Sequence, residues 1–409
     1  MNSLIRICCL GNVDSGKSTL FGVLLNNKLD NGKGEARLST TKLKHELISG
    51  NTSCINSVRI SDRLYFIDLA GHYKYFGTTL RGLNEYRPDF SLILINSNKG
   101  IEIMTKNHIL SCYYLRIPII ILITKIDISP EDKIYNTMKN VQKYLKQIGC
   151  KYLFEIKNED TLTRGLNAMN KDTYITNVYI PLFKISNVTG IGLDLFKNFI
   201  NKIENKHNYL LDINNLKQFS SSIDLNNVFE IYKTYTVPGI GLVVFGINKI
   251  GTIKKNDKLL VGPIKNQYIN IRVRSLHNDK REEVNMLCEG MQGCLAIKYI
   301  EKDIINKHNI RKGKVITDKF LLITEIDTEC KITNHSTTIT KKYRTVIYTG
   351  NISASASIKE AEKLPIRTGD LVKITFEFLY PQFIYPGNRF LFRDDNIKGF
   401  GNILNIKYK

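Results

Sequence analysis

The first half of the chain alternates long apolar runs with amphipathic stretches. The runs "SLIRICCL", "RLYFIDLA", "DFSLILINS" and "IPIIILITKID" are almost continuously apolar, which is typical of parallel strands covered on both faces. Helical patterns follow them near residues 72–84 and 103–115 and again in "PEDKIYNTMKNVQKYLKQIG". The alternation predicts a doubly wound α/β domain with a mostly parallel sheet over residues 1–206. Within it, the polar stretch 151–179 is expected to be an insertion with little core of its own.

The pattern changes after residue 206. Residues 207–226 are polar and mixed, and we interpret them as a linker. Beyond them, short alternating strands are separated by Gly, Pro, Asn and Asp, which favours small β-barrels. We therefore expect two all-β barrel domains, at 227–318 and 319–409.

Composition narrows the class of protein. The chain has 409 residues, of which 43% are hydrophobic, enough for two or three ordinary domains. No apolar stretch approaches the roughly 20 residues that cross a bilayer, so no membrane partner is expected. The eight cysteines form no CxxC pair or zinc-spaced cluster. We expect reduced thiols, a cytoplasmic protein and no structural metal.

The charge balance is strongly basic. The chain carries 59 Lys and Arg against 38 Asp and Glu, a formal net charge of +21. This charge indicates a polyanionic partner, RNA above all. Coding bias towards A and T would also enrich lysine, and such lysines would simply be solvated. Charge alone leaves both interpretations open.

The segment "GNVDSGKST" joins the first strand to the first helix and has the Gly-x4-Gly-Lys-Ser spacing of a phosphate-binding loop. Its glycines let backbone N–H groups approach phosphates, Lys17 adds a point charge, and the Ser18 hydroxyl can bind Mg²⁺. The predicted nucleotide-binding residues here are Gly11, Asn12, Val13, Asp14, Ser15, Gly16, Lys17, Ser18 and Thr19. The loop does not by itself choose between ATP and GTP.

The segment "TKID" (Thr124, Lys125, Ile126, Asp127) favours guanine. The Asp127 carboxylate can accept both the N1–H and the 2-amino N–H of guanine, a donor pair that adenine lacks. Thr124 stands where Asn is usual. After the next strand, "KISNVTG" places Ser186, Asn187 and Val188 where small polar groups and backbone N–H groups can contact the guanine O6.

The segment "DLAGH" supplies the candidate chemistry. Asp68, Leu69, Ala70 and Gly71 end an apolar strand, with Asp68 placed to hold Mg²⁺ and the Gly71 N–H to contact a γ-phosphate. His72 follows directly and can orient the attacking water, so we predict it as the catalytic residue. We expect the remaining metal ligand to be Thr52, although Thr40 and Thr41 lie nearby.

The segments "GNVDSGKSTL", "NNKLDNGKGEAR", "DLAGHYKYFGTTLRG", "TKIDISP", "KISNVTG" and "YTVPGIGLVVFG" resemble translational GTPases of the elongation factor Tu/1-alpha superfamily, and most closely the GTP-binding protein 1 family. The resemblance covers nearly the whole chain. It implies an α/β P-loop GTPase domain followed by two all-β barrel domains, with GTP or GDP and Mg²⁺ as cofactors. It further implies aminoacyl-tRNA or the ribosome as partners, and we expect a monomer. Hydrolysis is expected to be slow without an activator, because the sequence offers no obvious arginine finger.

The resemblance also implies roles for individual residues of the GTPase domain. Asp14 matches a position that organises charge around the bridging phosphate oxygen. Val13 matches one wing of a hydrophobic gate over the catalytic histidine. Asn51 occupies the other wing, where an apolar residue is usual.

In the barrels, Val261, Gly262, Gly290 and Gly293 match segments that form the pocket for the tRNA 3′ end. They could equally be ordinary barrel strand and turn. The resemblance also places three basic residues on a strand near the tRNA stem, although a basic edge strand can instead guard against aggregation. These residues are Lys341, Lys342 and Arg344.

Three functions are compatible with the motifs to different degrees. The first is a GTP-hydrolysing translation factor that binds aminoacyl-tRNA in its GTP form. The alternative is a nucleotide-gated adaptor in ribosome rescue or RNA surveillance, with RNA-decay machinery as partner, which Asn51 and Thr124 favour. An adenylyl-transferring P-loop enzyme lacks support, because Asp127 favours guanine.

Overall fold

The computed structural model describes residues 4–39, 55–86, 88–150, 152–171, 179–204, 210–278, 281–300, 310–333, 339–394 and 396–408. The chain divides into two compact units, Met1–Asn208 and Tyr209–Lys409. None of the helices within these ranges is both long enough and apolar enough to cross a membrane.

The first unit is built on a sheet that has seven strands among the described residues, in the order β2-β3-β1-β4-β5-β7-β6. All neighbours are parallel except β2 and β3. The strands are β1 (Ile5–Gly11), β2 (Asn56–Arg59), β3 (Leu64–Asp68), β4 (Phe90–Asn96), β5 (Ile119–Thr124), β6 (Tyr152–Glu155) and β7 (Tyr179–Lys184).

Helices cover both faces of this sheet. They are α1 (Lys17–Asn26), α2 (Phe76–Tyr86), α3 (Ile103–Tyr114), α4 (Glu131–Gln147), α5 (Glu159–Lys171) and α6 (Leu193–Lys202). Cys8 and Cys9 are consecutive and fully buried, yet they belong to different apolar clusters. Successive strand residues point to opposite faces, so the continuous apolar runs follow from burial on both sides. The doubly wound α/β prediction holds.

The stretch 151–179 is not a coreless insertion, and that expectation is wrong. Its first residues form β6, which pairs in parallel with β7, and α5 follows. Ile156 and Leu162 are 4% and 0% exposed and join the apolar cluster beneath the sheet. Phe154, Leu166 and Met169 of the same stretch also pack against this cluster, so a few apolar positions anchor a segment whose composition is polar. Residues 172–178 lie outside the described residues.

The predicted linker begins the second unit and contains a helix, α7 (Leu210–Ser222). Leu216 of this helix is fully buried in an apolar cluster with residues of the chain's last barrel. The segment is therefore packed structure, although its composition is polar overall.

Two closed barrels follow. In the first, the order is β11-β16-β8-β9-β15-β12, and pairing of β11 with β12 closes it. Its strands, with three short ones alongside, are β8 (Val228–Val237), β9 (Gly241–Ile250), β10 (Ile253–Lys254), β11 (Lys258–Ile264), β12 (Gln267–Asn278), β13 (Glu283–Val284), β14 (Met286–Leu287), β15 (Gln292–Tyr299) and β16 (Val315–Thr317).

The second barrel has the closed order β17-β20-β19-β18-β21-β22. Its strands are β17 (Ile323–Ile332), β18 (Arg344–Thr349), β19 (Ile352–Ala361), β20 (Leu371–Gln382), β21 (Arg389–Arg393) and β22 (Ile397–Tyr408). Val228 and Val315 of the first barrel share an apolar cluster with Ile323 and Phe376 of the second. This shared core explains why the two barrels form one compact unit.

Candidate nucleotide-binding site

The phosphate-binding loop closes around the side chain of Lys17. Gly16 has φ 88° and precedes α1, a left-handed conformation that favours glycine. The Lys17 ammonium donates to the carbonyl oxygens of Gly11 (3.0 Å) and Asn12 (2.9 Å). Burial lowers the pKa of Lys17, and the negative charge of Asp68 opposes this effect. A buried ammonium at a loop of backbone N–H groups is a site for an anion such as phosphate.

Ser18 and Asp68 bring two oxygen donors together beside the loop. The Ser18 hydroxyl donates to Asp68 Oδ2 over 3.0 Å, with Ser18 in the first turn of α1 and Asp68 at the end of β3. Hydroxyl and carboxylate oxygens are the ligand type that Mg²⁺ prefers. This pair therefore fits a magnesium ion next to bound phosphates. Thr52, the predicted third ligand, lies outside the described residues, as does Asn51.

Gly71 lies against the phosphate-binding loop. A Cβ atom at this position would lie 2.4 Å from Lys17 Nζ and 2.5 Å from the carbonyl oxygen of Gly11. No side chain fits there, so the backbone that follows β3 reaches the phosphate site. This placement supports the predicted role of the Gly71 N–H.

His72 is half-buried, and its ring packs beside Tyr73 and Tyr75, with centroids 4.8 and 6.1 Å away. Its Nδ1 accepts a hydrogen bond from the backbone N–H of Lys74 (3.2 Å). Because Nδ1 is an acceptor, the proton of the neutral ring lies on Nε2. In this tautomer Nε2–H is a hydrogen-bond donor.

The segment Thr124–Asp127, which we call the guanine motif, contacts the phosphate-binding loop through a hydrogen bond. The buried Thr124 hydroxyl donates to the carbonyl oxygen of Ser15 over 2.9 Å. Lys125, at φ 59°, turns the chain so that Asp127 is exposed at the cavity. Asp127 thus fits base recognition, whereas Thr124 supports the loop.

The segment after β7 forms another wall. The buried Ser186 hydroxyl accepts hydrogen bonds from the backbone N–H groups of Val188 (3.2 Å) and Thr189 (3.0 Å). Asn187 is 9% exposed, and its amide lies close to Gly16. Ser186 therefore shapes the turn that presents Asn187 and Val188 to the cavity.

One cavity of about 450 Å³ brings most of the predicted residues together. Its size is within the range of small-molecule sites. The predicted residues that line it are Val13, Asp14, Gly16, Lys17, Ser18, Thr19, Gly71, His72, Lys125, Asp127, Asn187 and Val188. The predicted residues that do not line it are Gly11, Asn12, Ser15, Asp68, Leu69, Ala70, Thr124, Ile126 and Ser186.

Sequence reasoning missed the loop that follows α1. The Asp30 carboxylate accepts three backbone N–H groups, from Gly32 (3.0 Å), Gly34 (3.2 Å) and Ala36 (2.8 Å). Cavity-lining residues from this loop are Asp30, Gly32, Lys33, Gly34 and Arg37. The signal in the sequence is an aspartate two residues before a Gly-x-Gly, a turn pattern. Lys33 and Arg37 also add positive charge that the sequence analysis did not assign to the site.

The residues expected at a tRNA 3′-end pocket are placed unevenly. The Val261 side chain is fully buried in the core of the first barrel and is not exposed to a ligand. A Cβ at Gly293 would lie 2.4 Å from the His277 carbonyl oxygen, and one at Gly262 would lie 2.7 Å from the Tyr268 ring. A Cβ at Gly290, in contrast to these two glycines, would meet no atom within 4 Å.

Lys341, Lys342 and Arg344 do not share a strand, which corrects the expectation. Lys341 and Lys342 are exposed in the turn before β18, and Arg344 is its first residue. β18 pairs with both β19 and β21 in a closed barrel, so it is not an edge strand. The aggregation-guard interpretation therefore does not apply.

Comparison with known proteins matches this arrangement. Residues 2–213 match the family described as elongation factor Tu GTP binding domain. GTP-binding protein 1 of Xenopus laevis is 33% identical, in an alignment covering 98% of this chain and 63% of that protein. GTP-binding protein 2 of Homo sapiens is 32% identical, with 98% and 69% covered. The chain thus spans somewhat under two thirds of the length of the Xenopus relative.

A solved structure shares the fold. Translation elongation factor SelB from Methanococcus maripaludis, in complex with the GTP analogue GppNHp, has a TM-score of 0.64 and 19% sequence identity, covering 100% of this chain and 80% of that one. The α/β domain followed by two barrels is therefore confirmed as the fold. The chain belongs to the family of translational GTPases that carry an elongation factor Tu GTP-binding domain, and GTP-binding proteins 1 and 2 are its homologues.

Proposed function

We propose that this chain is a GTP-hydrolysing translation factor of the elongation factor Tu/1-alpha type, whose GTP form binds aminoacyl-tRNA, the ribosome or both. The observation that carries the proposal is the convergence of Lys17, Ser18, His72 and Asp127 on one cavity. The family match and the likeness to an elongation factor support it. Translation takes place in the cytoplasm, where we expect the protein to act as a monomer.

In this proposal some residues of the cavity bind the phosphates of the nucleotide and others bind its base. Lys17 and the loop N–H groups bind the β- and γ-phosphates, and the Gly71 N–H contacts the γ-phosphate. Asp127 accepts the two N–H groups of guanine, which sets specificity for GTP and GDP. Asn187 and Val188 contact the other edge of the base.

Ser18 and Asp68 would hold Mg²⁺, with Thr52 as the proposed third ligand. When bound, the ion supplies positive charge that neutralises the phosphate oxygens. The hydrogen bond between Ser18 Oγ and Asp68 Oδ2 keeps the two ligands together beforehand.

In this proposal His72 orients the attacking water but does not remove its proton. Its Nδ1 accepts the Lys74 N–H, which leaves Nε2–H to donate to the oxygen of that water. A donor of this kind positions the nucleophile without activating it. We therefore propose slow intrinsic hydrolysis that an activator accelerates.

Binding measurements test the proposal directly. GTP-loaded protein is compared with GDP-loaded protein in filter binding to aminoacyl-tRNA and to deacylated tRNA across a salt series. We expect the GTP form to prefer aminoacyl-tRNA, with affinity falling as salt rises. Equal binding of both RNAs in both nucleotide states would leave GTP binding intact and overturn aminoacyl-tRNA delivery.

A second candidate is a nucleotide-gated adaptor in ribosome rescue or RNA surveillance, with RNA-decay machinery as partner. The burial of Val261 favours it, because the side chain at one position that matches the tRNA 3′-end pocket is not accessible to RNA. Such an adaptor would bind charged and uncharged tRNA equally and still require GTP. The same filter-binding series separates the two functions.

A further inference from the structure

Three cations form a row across the outer face of the first barrel. Lys258 on β11 lies directly opposite Arg272 on β12, and Arg272 lies directly opposite Lys298 on β15. All three side chains are exposed, as is Arg274 two residues further along β12. The sheet therefore presents cations in register on three adjacent strands, which we call the cationic row (Lys258, Arg272, Lys298).

Among the described residues, no side chain of the cationic row forms an ion pair with a carboxylate. Glu283 pairs with Lys255 (3.5 Å), and the carboxylate of Asp257, the chain neighbour of Lys258, accepts the backbone N–H of Lys254 (2.7 Å). The second barrel differs, because there Glu325 pairs with Lys359 (2.6 Å) and Lys407 (3.6 Å).

The geometry of the row identifies the chemistry of its ligand. Like charges directly opposite each other destabilise a sheet, so two such pairs in succession oppose folding unless an anion binds them. Neighbouring strands are about 4.8 Å apart, so the row spans roughly 10 Å. A nucleic acid strand carries one negative charge per nucleotide, so a row of this length can face more than one phosphate of a single strand. The central Arg272 guanidinium can hold a phosphate with two parallel hydrogen bonds.

We propose that the cationic row binds successive phosphates of an RNA backbone. The proposal deepens the function proposed above, because it places RNA on a defined surface of the first barrel. Unlike aminoacyl-tRNA delivery, RNA binding by the cationic row requires neither an aminoacyl group nor GTP. Phosphate contacts read neither the base sequence, nor the aminoacyl ester, nor the nucleotide in the GTPase domain.

The test uses the full chain in its GDP form and a fluorescein-labelled, uncharged RNA hairpin. Anisotropy titrations over a salt series compare the wild type with the variant Lys258→Gln, Arg272→Gln, Lys298→Gln. We expect this variant to lose about tenfold or more in affinity, and the salt slope to fall in magnitude by about 2 to 3. The matched control removes the same charge from exposed lysines of α4, as Lys139→Gln, Lys143→Gln, Lys146→Gln, and should bind nearly as the wild type does.

Three results would overturn the proposal. The first is RNA affinity of the row variant equal to that of the wild type, and the second is an equal loss of affinity in the row variant and the control variant. The third is a row variant that no longer binds poly-glutamate, titrated in the same way, but still binds RNA as the wild type does. That result would indicate an acidic protein partner instead. Arg272→Lys keeps the charge and should keep the salt slope, a check that does not depend on the stability of the triple variant. An absent GTP or aminoacyl preference in the wild type would overturn tRNA delivery alone, because this test uses neither.

Discussion

The hydroxyl of Thr124 lies 2.9 Å from the carbonyl oxygen of Ser15, so the strand that leads to the guanine motif is tied to the middle of the phosphate-binding loop. Thr124 is buried, and its hydroxyl also lies 3.3 Å from the carbonyl oxygen of Ile95. One side chain thus joins the segment Thr124–Asp127 to the phosphate-binding loop. This contact gives the threonine a role at a position where an asparagine is usual.

Replacing Thr124 should weaken binding of both GTP and GDP. Thr124→Val keeps the shape of the side chain but leaves the Ser15 carbonyl without this donor, which costs about 1–2 kcal/mol, or roughly tenfold in affinity. Titration of a fluorescent GDP analogue measures the change. Thr124→Ser is the control, because it retains the hydroxyl. An equal loss in the two variants would show that the methyl group, not the hydrogen bond, matters.

The Asp30 loop should control how long the nucleotide stays bound. Asp30→Ala removes an ionised acceptor of three backbone N–H groups, and bonds to charged acceptors contribute about 1.5–3 kcal/mol each when made. We expect dissociation of GDP to accelerate by about tenfold or more, measured by stopped-flow chase. Glu35→Gln changes the same charge at an exposed position of the same loop and should leave the rate unchanged. Similar acceleration in both variants would contradict the role of Asp30.

The strands of the α/β domain can be predicted from the sequence, because strands buried on both faces consist of continuous apolar runs. Ile119–Thr124 are buried along their whole length, and this double-sided burial makes the strand visible as an apolar run. The phosphate-binding loop is equally visible, because its glycines and Lys17 have no substitutes at that spacing. Both signals are local in the chain.

Features that depend on distant contacts could not be predicted in the same way. Asp30 before Gly-x-Gly indicates a turn, but the backbone N–H groups that its carboxylate accepts have no side-chain signature that would assign the turn to the cavity. An edge strand is one of the two interpretations that the sequence leaves open for Arg344, but β18 also pairs with β21, where Val346 lies opposite Arg393, a residue 47 positions away. The polar α7 depends on Leu216 reaching the core of another domain.

Base specificity should change when Asp127 is replaced. Asp127→Asn exchanges an acceptor for a donor at the cavity, so it loses one of the two hydrogen bonds to guanine. Xanthine carries an oxygen in place of the 2-amino group and can accept the new N–H. We expect GTP affinity to fall by about a hundredfold and xanthosine triphosphate affinity to rise, measured by competition with labelled GDP. Unchanged preference for guanine would place base recognition elsewhere.

Removal of the His72 ring should slow hydrolysis without changing nucleotide affinity. His72→Ala deletes the Nε2–H that positions the water, and lost positioning of a reactant costs on the order of 10²-fold in rate. Single-turnover GTP hydrolysis in the presence of ribosomes measures the loss. Tyr73→Phe preserves the neighbouring ring and is the control. A hydrolysis rate equal to wild type in His72→Ala would rule out the proposed role.

Stability should depend on pH through His108, which lies fully buried in α3, 5.8 Å from the Phe76 ring between centroids. Burial, with a smaller contribution from the charge of Lys17, lowers the pKa of His108 to about 3. The unfolded chain binds a proton at this site below about pH 6.5 whereas the folded chain does not, so stability falls as pH decreases from 6.5 towards 3, by about 2 kcal/mol at pH 5. His108→Leu should remove that part of the acid sensitivity, seen as a smaller drop in the urea midpoint between about pH 7 and pH 5. His277→Gln, at a half-exposed ring, is the control, and parallel curves for His108→Leu and wild type would contradict the prediction.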